Sequence, residues 1–544
     1  MPKAKSKTKN ISSISPHHYT YPNSVTLKNK YGTKNLKSFL EKCSHDTAQA
    51  MVNLRLEPLP ECFDSAYLSY LHLCLFENTF EWAGCTRNVP FTFKDGTTAA
   101  MPEMKRTGWT YAFAIGDQIQ EGLQRLDQTL AEKNNLQGLT REAFIHEAME
   151  MFNSLNHIHP FREGNGRTQR VFFENLARAA GHQLEFSLVT KERMMVASVA
   201  VAEEGNLGPM QHLFEDISNP ERILLLKEFM DNMKDSGRNV NDRPVMVAQE
   251  GETYTGIYRG AGREGFAFNV RGAYIIGNKE HLSPEQLKTL KAGDKFTFTV
   301  PGARELEKNL IPKEELAPLT KNEIAEMIAE DACIHVTRKQ IQGLSKTVYG
   351  SSKTLNQQMV QMIKYPNLSE QLANQIEHSP HSVANLAGIN VCGLKNSTRQ
   401  HAEENTWLLS AAVRNYSYAI KHAKKEILQE HQAEQRRRGQ TVEMPSKDLQ
   451  NLLSLTPEQQ REILSSSPRL REELNALMHK LRDRLSGDEH NAIRKNDYEK
   501  LAKSIGISVT KAKEITKIVT QTKEAHQQSQ ALKVHRSKAM AMAS

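Results

Sequence analysis

Twelve consecutive residues bring together the groups that nucleotide phosphate chemistry needs. They read His159-Pro-Phe-Arg-Glu163-Gly-Asn-Gly-Arg-Thr-Gln-Arg170. His159 has a side chain that can take a proton from a hydroxyl group near neutral pH. Glu163 supplies a carboxylate, and Mg²⁺ is usually held by one or two carboxylates together with phosphate oxygens. The segment therefore predicts an active site that transfers a nucleotidyl group from ATP, with Mg²⁺ as the cofactor.

The rest of the segment is suited to hold the phosphates of the nucleotide. Gly164, Asn165 and Gly166 allow backbone N–H groups to converge on an anion without obstruction by side chains. Arg167 and Arg170 are three residues apart on a helical turn, so both can face the phosphate tail. A Gly-Asn-Gly sequence before a helix is more often only a turn. The conjunction of all these residues at fixed spacing favours a functional site.

Apolar spacing predicts that this segment lies between two helices. One helix is expected from about Arg141 to Asn156, and the next from about Arg167 to Ala180. The segment thus opens the second helix, where unpaired backbone N–H groups and the positive end of the dipole attract anions. Between Phe91 and Ala114 the helical period breaks, and two turn signals predict a hairpin or flap.

A zinc hydrolase is a second interpretation of the histidines around the segment. His146-Glu147 and the pair His157 and His159 cluster on one helix and at its end. The zincin pattern requires a second histidine at the position where this chain has Glu150. A structural zinc site is therefore not expected, and His146 and His157 are interpreted as ordinary polar or packed residues.

The segment resembles the signature HxFx[D/E]GNGRxxR of the Fic family of nucleotidyltransferases, which it matches at every defined position. Residues 80–87, Phe-Glu-Trp-Ala-Gly-Cys-Thr-Arg, also resemble the family's approach to its flap. The resemblance implies transfer of AMP from ATP to a Ser, Thr or Tyr hydroxyl of a target protein, with release of pyrophosphate. It implies that His159 is the base, Glu163 the Mg²⁺ ligand and residues 164–167 the phosphate cradle. Arg170 would contact the γ-phosphate, and Phe161 would anchor the loop in the core.

Family members use the flap to align a segment of the target as an additional strand, and the resemblance implies the same for a host protein here. Two turns compete for the flap tip. The turn Arg106-Thr107-Gly108-Trp109 is favoured over the one near residue 95, because it lies just before a helix predicted to begin near residue 117. Its four residues are accordingly predicted to contribute to nucleotide binding.

Many family members are inhibited by a helix with the pattern [S/T]xxxE[G/N], whose glutamate pairs with the second arginine of the signature. No glutamate that precedes Gly or Asn in this chain has Ser or Thr four residues earlier. The resemblance therefore implies a separate, small antitoxin-like partner that supplies the glutamate in trans.

Length and periodicity predict a mainly α, multidomain protein. An all-helical Fic core with a small β-hairpin flap is expected at 36–235, after a basic flexible arm at 1–35. At 240–302 the period becomes two, and five short strands predict a small OB-like β-barrel. The amphipathic stretches that follow predict an elongated helical bundle at 305–530 and a basic tail at 531–544.

The C-terminal half resembles the BID domain of Bartonella effectors. The resemblance rests on Leu386-Ala-Gly388, Gly393-Leu-Lys395, Arg399 and Ala402-Glu-Glu-Asn405, which precede a long helix. Such a domain with a basic tail acts as the signal for type IV secretion, so the resemblance implies binding to the secretion coupling machinery. The protein would leave the bacterial cytoplasm and act in the host cytosol.

An alternative function is that of a host adaptor, in which the BID domain acts at the plasma membrane and the Fic domain is secondary. A basic surface favours contact with the anionic inner face of that membrane or with a membrane-associated protein. The net charge of +8 indeed resides in the C-terminal part, since residues 303–544 hold 36 Lys and Arg against 28 Asp and Glu.

Other classes of protein are not favoured by the composition. Residues 1–302 hold 35 basic and 35 acidic side chains, and alternation places most aromatic residues of the predicted barrel in its core, so nucleic-acid binding is not expected. The six cysteines show no CxxC pair. No apolar run approaches the roughly 20 residues of a membrane span.

Overall fold

The computed structural model describes residues 18–105, 112–391 and 393–543, from 531 onward as backbone only. These residues form two compact units. The first comprises the chain up to Leu282 together with Leu290–Gly302, and the second comprises Ser283–Thr289 together with the chain from Ala303 on. The predicted mainly helical fold is confirmed.

Eight helices precede the sheet in the described part of the first unit. Several begin at a side chain that caps the first turn, as Thr140 does for the N–H of Ala143 and Thr190 for that of Arg193. Their apolar faces share one core. The helices are α1 (Leu36–Leu56), α2 (Ser65–Phe76), α3 (Gln118–Glu132), α4 (Arg141–Ile158), α5 (Asn165–Ala179), α6 (Lys191–Glu204), α7 (Gly208–Ser218) and α8 (Pro220–Asp235), with short 3₁₀ turns at Asn134–Leu136 and Phe186–Leu188.

Part of the predicted flexible arm is packed against this core. Tyr19 is only 1% exposed and its ring lies 5.4 Å from that of Trp82, while Leu27 is also buried. The prediction of a flexible arm up to residue 35 is therefore wrong for residues 18–35, because apolar side chains between the lysines anchor this stretch. Residues 1–17 lie outside the described part of the chain.

The region predicted to form a flap contains two antiparallel pairings. Strands β1 (Phe91–Thr92) and β2 (Thr98–Ala99) pair across the turn at Asp95-Gly96. A single bridge joins Lys105 to Ala112. This bridge brackets the favoured flap tip, Arg106–Trp109, which itself lies outside the described residues.

The predicted strands between 240 and 302 are confirmed, but the closed barrel is wrong. Strands β3 (Val245–Val247), β4 (Thr253–Ala261), β5 (Gly265–Val270), β6 (Ala273–Asn278) and β7 (Lys295–Thr299) form a sheet in the order β3-β6-β5-β4-β7. Strand β3 runs parallel to β6, and the other neighbours are antiparallel. In the described residues, the edge strands β3 and β7 do not pair with each other.

Helix α8 covers one face of the sheet. Leu225, Leu226 and Phe229 of α8 are buried together with Val245 and Ile276 of the sheet. Phe266 and Phe268, which alternate with Ala267 along β5 and so point to the other face, are buried there against Phe298. A short 3₁₀ turn, Lys279–His281, follows β6.

The second unit is a helical assembly with two apolar cores. One core surrounds the first half of the long helix α16, and the other surrounds the last helix, α22. Its helices are α9 (Pro284–Thr289), α10 (Ala303–Glu307), α11 (Lys321–Glu330), α12 (Ala332–Tyr349), α13 (Asn356–Lys364), α14 (Leu368–His378), α15 (Ser397–Glu404), α16 (Thr406–Arg438), α17 (Lys447–Leu453), α18 (Pro457–Ser466), α19 (Pro468–Arg484), α20 (Gly487–Arg494), α21 (Tyr498–Ile505) and α22 (Val509–Ala543), with a 3₁₀ turn at Pro380–Ser382.

Two short antiparallel pairs complete this unit. Strand β8 (Asn309–Ile311) pairs with β11 (Val442–Glu443), and β9 (Asn390–Val391) pairs with β10 (Leu394–Lys395). Across the described residues of the chain, no helix combines the length and the apolar character needed to cross a membrane.

Candidate active site

The signature segment begins where α4 ends. His159 caps α4 in the left-handed conformation, with φ 48° and ψ 61°, and its N–H donates to the carbonyl oxygen of Leu155 at 3.0 Å. This conformation, uncommon for a residue other than glycine, turns the chain sharply out of the helix. The imidazole stacks on the ring of Phe113, with 3.9 Å between the ring centroids and 9° between the planes. The ring that is predicted to act as the base is therefore oriented by an aromatic contact.

Arg87 fixes the segment to the base of the flap region. It is fully buried, and its Nε donates to the carbonyl oxygen of His159 at 2.8 Å. Its Nη1 donates to the carbonyl oxygens of Met101 and Pro102, and its Nη2 donates to that of Ala114. Burial lowers the pKa of Arg87 to about 10, which leaves it charged at neutral pH. The resemblance over residues 80–87 included Arg87, but its role became visible only from these bonds.

The side chain of Asn165 bonds to the backbone of the same loop. Its Oδ1 accepts the N–H of Phe161 at 2.9 Å, and its Nδ2 donates to the carbonyl oxygen of Phe161 at 2.7 Å. The Phe161 ring is buried, as the resemblance implied. Because the side chain of Asn165 is engaged inside the loop, any contribution of this residue to a phosphate site comes from its backbone.

His72 of α2 contacts the backbone and the Phe161 ring of the same loop. Its Nδ1 accepts the N–H of Gly84 at 2.8 Å and its Nε2 lies 3.0 Å from the carbonyl oxygen of Glu163, so Nε2 carries the proton. The ring stacks on Phe161 with 3.9 Å between centroids. Burial lowers the pKa of His72 to about 4 and keeps the ring neutral. No motif in the sequence indicated this residue.

Gly164 and Gly166 differ in the space around their missing side chains. Gly164 has φ 90°, and a Cβ at this position would lie 2.4 Å from the ring of Phe76. Gly166, in contrast, has open space around its missing side chain. Helix α5 begins at Gly164 without any side chain that caps it. Its first turn therefore presents backbone N–H groups that an anion can occupy.

The two arginines of the segment have different neighbours. Arg167 lies towards α1, with 3.3 Å to Oε1 of Glu163 and 3.2 Å to Oγ1 of Thr47, and its guanidinium covers the ring of Phe76. Arg170 instead lines a cavity together with His159 and Gly166. Positions three apart on a helix differ by only about 60° in direction, so the different neighbours of the two side chains come from local packing.

This cavity has a volume of about 690 Å³ and adjoins the flap region. Its mouth includes Met104 and Lys105, next to the bridge that brackets the flap tip. Its far part lies between α4 and α6, two helices that the signature does not mention. The residues lining this far part are Phe152, Asn153, Asn156, Gln169, Met194, Met195, Ser198, Val201 and Ala202. Apart from Gln169, which lies within the signature segment on α5, no motif in the sequence indicated these residues, because they are scattered along amphipathic helices.

A smaller cavity of about 270 Å³ shares Arg170 and Lys191 with the first. It also contains Arg55 and Glu174. Burial raises the pKa of Glu174 to about 7, against the opposing effects of Arg55 and Arg170. Burial likewise lowers the pKa of Arg170, and Glu174 opposes that shift. Arg170 therefore lies between a cavity suited to a nucleotide and a second cavity rich in cations.

No group of three or more histidine, cysteine or carboxylate ligands is brought together anywhere in the described residues. Glu163 is the carboxylate nearest the anion-binding loop, and 45% of its side-chain surface is exposed beside Arg167. One carboxylate is compatible with Mg²⁺, which typically keeps water and phosphate oxygens as its other ligands.

Comparison with family models assigns this site to a class. Residues 62–177 match the Fic/DOC family, and residues 246–298 match the Intracellular delivery domain family. The first match contains the complete signature segment, and the second falls on the five-stranded sheet. The fold and the site thus define a Fic enzyme that is joined to an intracellular delivery domain.

Similar proteins specify the enzyme further. A protein adenylyltransferase of Bartonella henselae is 67% identical over 544 residues, which cover 100% of both chains. The protein adenylyltransferase VbhT of Bartonella schoenbuchensis is 36% identical over 25% of this chain and 26% of its own. The solved structure of the type IV secretion system effector protein BepA is 79% identical, with a TM-score of 0.53 over 54% of this chain and 99% of that chain. This chain belongs to the Fic family of protein adenylyltransferases, which confirms the predicted family and enzyme class.

Proposed function

We propose that the protein transfers AMP from ATP to a hydroxyl side chain of a host protein, with His159 as the general base. The observation that carries this proposal is the shared cavity, which His159, Gly166 and Arg170 line together. A base and an anion-binding helix start thus meet in one space that is large enough for a nucleotide. The name of the Bartonella henselae relative, 67% identical over the whole chain, supports the same reaction.

Each group has a defined part in the proposed reaction. The hydroxyl oxygen of the target attacks the α-phosphorus while the imidazole of His159 takes the hydroxyl proton. The bond between the α-phosphorus and the bridging oxygen to the β-phosphate breaks, and pyrophosphate leaves with the electron pair. The N–H groups at the start of α5 and the guanidinium of Arg170 hold the phosphate oxygens. Arg87 and Phe113 orient His159 and do not contact the nucleotide in this mechanism.

Glu163 is the proposed ligand of Mg²⁺. The ion would neutralise negative charge on the phosphates when it is bound. The carboxylate of Glu163 lies 3.3 Å from the guanidinium of Arg167.

His159→Ala tests the proposed reaction. Because a general base contributes about 10²- to 10⁴-fold to such a step, transfer of labelled AMP to a host lysate or to the protein itself should fall by at least about 10². His146→Ala is the matched control, since His146 lies on the same helix with an exposed side chain. Equal labelling by the His159→Ala and control proteins would contradict the proposal, and mass spectrometry of the labelled protein identifies the target residue.

We further propose that inhibition comes from a separate partner that inserts a glutamate towards Arg170. The cation-rich cavity with Arg55, Arg170 and Lys191 supports this, because it offers such a carboxylate three positive charges. The in-chain carboxylate in that cavity is Glu174. If control is in trans, Glu174→Gln should leave the transfer rate of the purified chain within about twofold. Activation by a larger factor would show that the chain inhibits itself through Glu174.

Delivery into a host cell by type IV secretion is the proposed route to the target. The Intracellular delivery domain match and the name of BepA, a type IV secretion system effector, support this route. The helical unit and the basic residues 531–544 are the proposed contacts of the coupling machinery. An adaptor role of this unit, including contact with the host membrane, is the second candidate, favoured by Trp407 and Tyr418, which are 60% and 72% exposed. These two residues are eleven apart on α16 and thus share one face.

A further inference from the structure

Asn153 of α4 has a side chain whose hydrogen-bonding atoms are left without partners. Both its amide nitrogen and its amide oxygen are buried, and neither makes a hydrogen bond to any described residue. Leaving a buried polar group unsatisfied costs about 1–3 kcal/mol, so such groups in folded proteins call for a specific explanation. Asn153 lines the 690 Å³ cavity that also holds His159 and Arg170.

The neighbouring amides in this cavity do have partners. The amide nitrogen of Asn156 donates to Oγ of Ser198 at 3.4 Å. The amide nitrogen of Gln169 donates to the carbonyl oxygen of Phe152 at 2.5 Å. Asn153 thus differs from the other two amides of the same wall, and its free donor and acceptor lie side by side on one planar group.

The surroundings of Asn153 suit a flat aromatic ligand. Phe152, Met194, Met195, Val201 and Ala202 supply apolar surface from α4 and α6. Asn153 precedes His159, the cap of α4, by six residues, which corresponds to a rise of about 9 Å along the helix axis. Both residues line the same cavity.

We propose that Asn153 recognises the base of the donor nucleotide and is a specificity-determining residue for adenine. Its amide oxygen accepts a bond from the 6-amino group, and its amide nitrogen donates to the adjacent ring nitrogen. A carboxamide forms such a bidentate pair with adenine, whereas guanine offers two acceptors along the edge that carries N7. This inference deepens the proposed transfer of AMP and rests on it, because it assumes that the cavity binds the donor nucleotide.

Equilibrium binding in the absence of any target protein tests the inference. Isothermal titration calorimetry of the full chain with Mg²⁺ compares ATP, 1-deaza-ATP and 7-deaza-ATP, each of which differs at one ring nitrogen. One of the two analogues should bind about fivefold more weakly than ATP, the loss expected for one neutral hydrogen bond. In Asn153→Leu, ATP binding should weaken and the difference between ATP and that analogue should disappear.

Asn156→Leu is the matched control, since it removes an amide from the same helix and cavity that already has a partner. It should keep the difference between ATP and the analogue, whatever its effect on affinity. Asn153→Leu should also unfold at the same temperature as the original protein or a higher one, because an unsatisfied amide is replaced by an apolar group. If Asn153→Leu does not fold, the same comparison is made with Asn153→Ala.

The proposal is overturned if neither deaza analogue binds more weakly than ATP, or if the difference persists in the Asn153 variants. These outcomes are independent of the role of His159, since no transfer takes place in this experiment. Failure of the proposed function would instead appear in the labelling experiment, as equal labelling by the His159→Ala and control proteins.

Discussion

At the scale of single residues, the active-site loop depends on side chains that lie outside it in the sequence. Arg87 binds the carbonyl oxygen of His159, and His72 binds that of Glu163. Together the two bonds fix the backbone on the two sides of the tight turn at Phe161. The loop is therefore preorganised before any ligand binds, which is the condition for effective electrostatic catalysis.

Acidification is expected to destabilise this loop through His72. The unfolded chain takes up a proton near pH 6.5, whereas burial lowers the pKa of the folded ring to about 4. The contribution of His72 to stability is thus fully present above pH 6.5 and falls by about 1.4 kcal/mol for each pH unit between these values. His72→Phe keeps the ring stack but cannot titrate, so this part of the pH dependence should disappear in that variant.

Urea unfolding above pH 7 and near pH 5 measures the effect. Trp82 lies 5.8 Å from the His72 ring and serves as the fluorescent probe when Trp109 and Trp407 are replaced by Phe. His146→Phe is the control and should keep the original pH dependence, because His146 is exposed. An unchanged pH dependence in His72→Phe would show that the ring is not held neutral in the folded protein.

At the scale of elements, a buried ion pair holds one wall of the 690 Å³ cavity against the sheet. Arg193 of α6 donates to Asp216 of α7 at 2.7 Å and to the carbonyl oxygen of Val245 in β3 at 3.0 Å. Asp216 also accepts the N–H of Val247 at 2.9 Å. Since α6 carries Met194 and Met195, the position of these cavity residues depends on a network that reaches the sheet.

Asp216→Asn is therefore expected to destabilise the first unit and to weaken nucleotide binding. The change leaves the side chain of Arg193, only 4% exposed, without its counter-charge, at a cost of about 3–5 kcal/mol. Burial by itself raises the pKa of Asp216, but Arg193, His212 and Arg222 outweigh it and hold this pKa well below the usual range. The contribution of Asp216 is thus present above the ordinary pKa of an aspartate and is lost as the pH falls below it.

Chemical denaturation and the KM for ATP check this prediction. Glu41→Gln is the matched control, because it removes one acid from the exposed pair with Lys37 and should change stability by less than about 1 kcal/mol. Equal stability of the Asp216→Asn and Glu41→Gln proteins would contradict a structural role for the buried pair.

At the scale of the whole molecule, each unit has its own buried ionic centre. In the second unit, Glu314 is almost fully buried and accepts bonds from Lys288 at 2.7 Å and Arg438 at 2.8 Å. Lys288 belongs to α9, a helix that follows the sheet strand β6 in sequence but belongs to the second unit. The chain therefore enters the second unit twice, first at α9 and again at Ala303. A single boundary between 302 and 305 does not describe this division completely.

Features that arise from neighbouring residues follow from the sequence alone. The signature segment is twelve residues long, so its glycines, its base and the helix start that follows all lie within local reach. The five strands and the long helices likewise follow from apolar periods that each element carries within itself. For this reason the family, the enzyme class and the helical character were all predictable.

Features that join residues distant in the sequence depend on tertiary packing. The predicted barrel does not close, since β3 and β7 do not pair with each other in the described residues, and no strand sequence records which strands become edges. Arg167 donates to Thr47 on another helix, and no motif in the sequence indicates that contact. Arg87, His72 and Asn153 look ordinary in the sequence, and only packing reveals that two support the loop and that the third has a buried, unpaired amide beside the cavity. Burial and hydrogen-bond satisfaction are properties of the assembled core, and these residues acquire their roles from it.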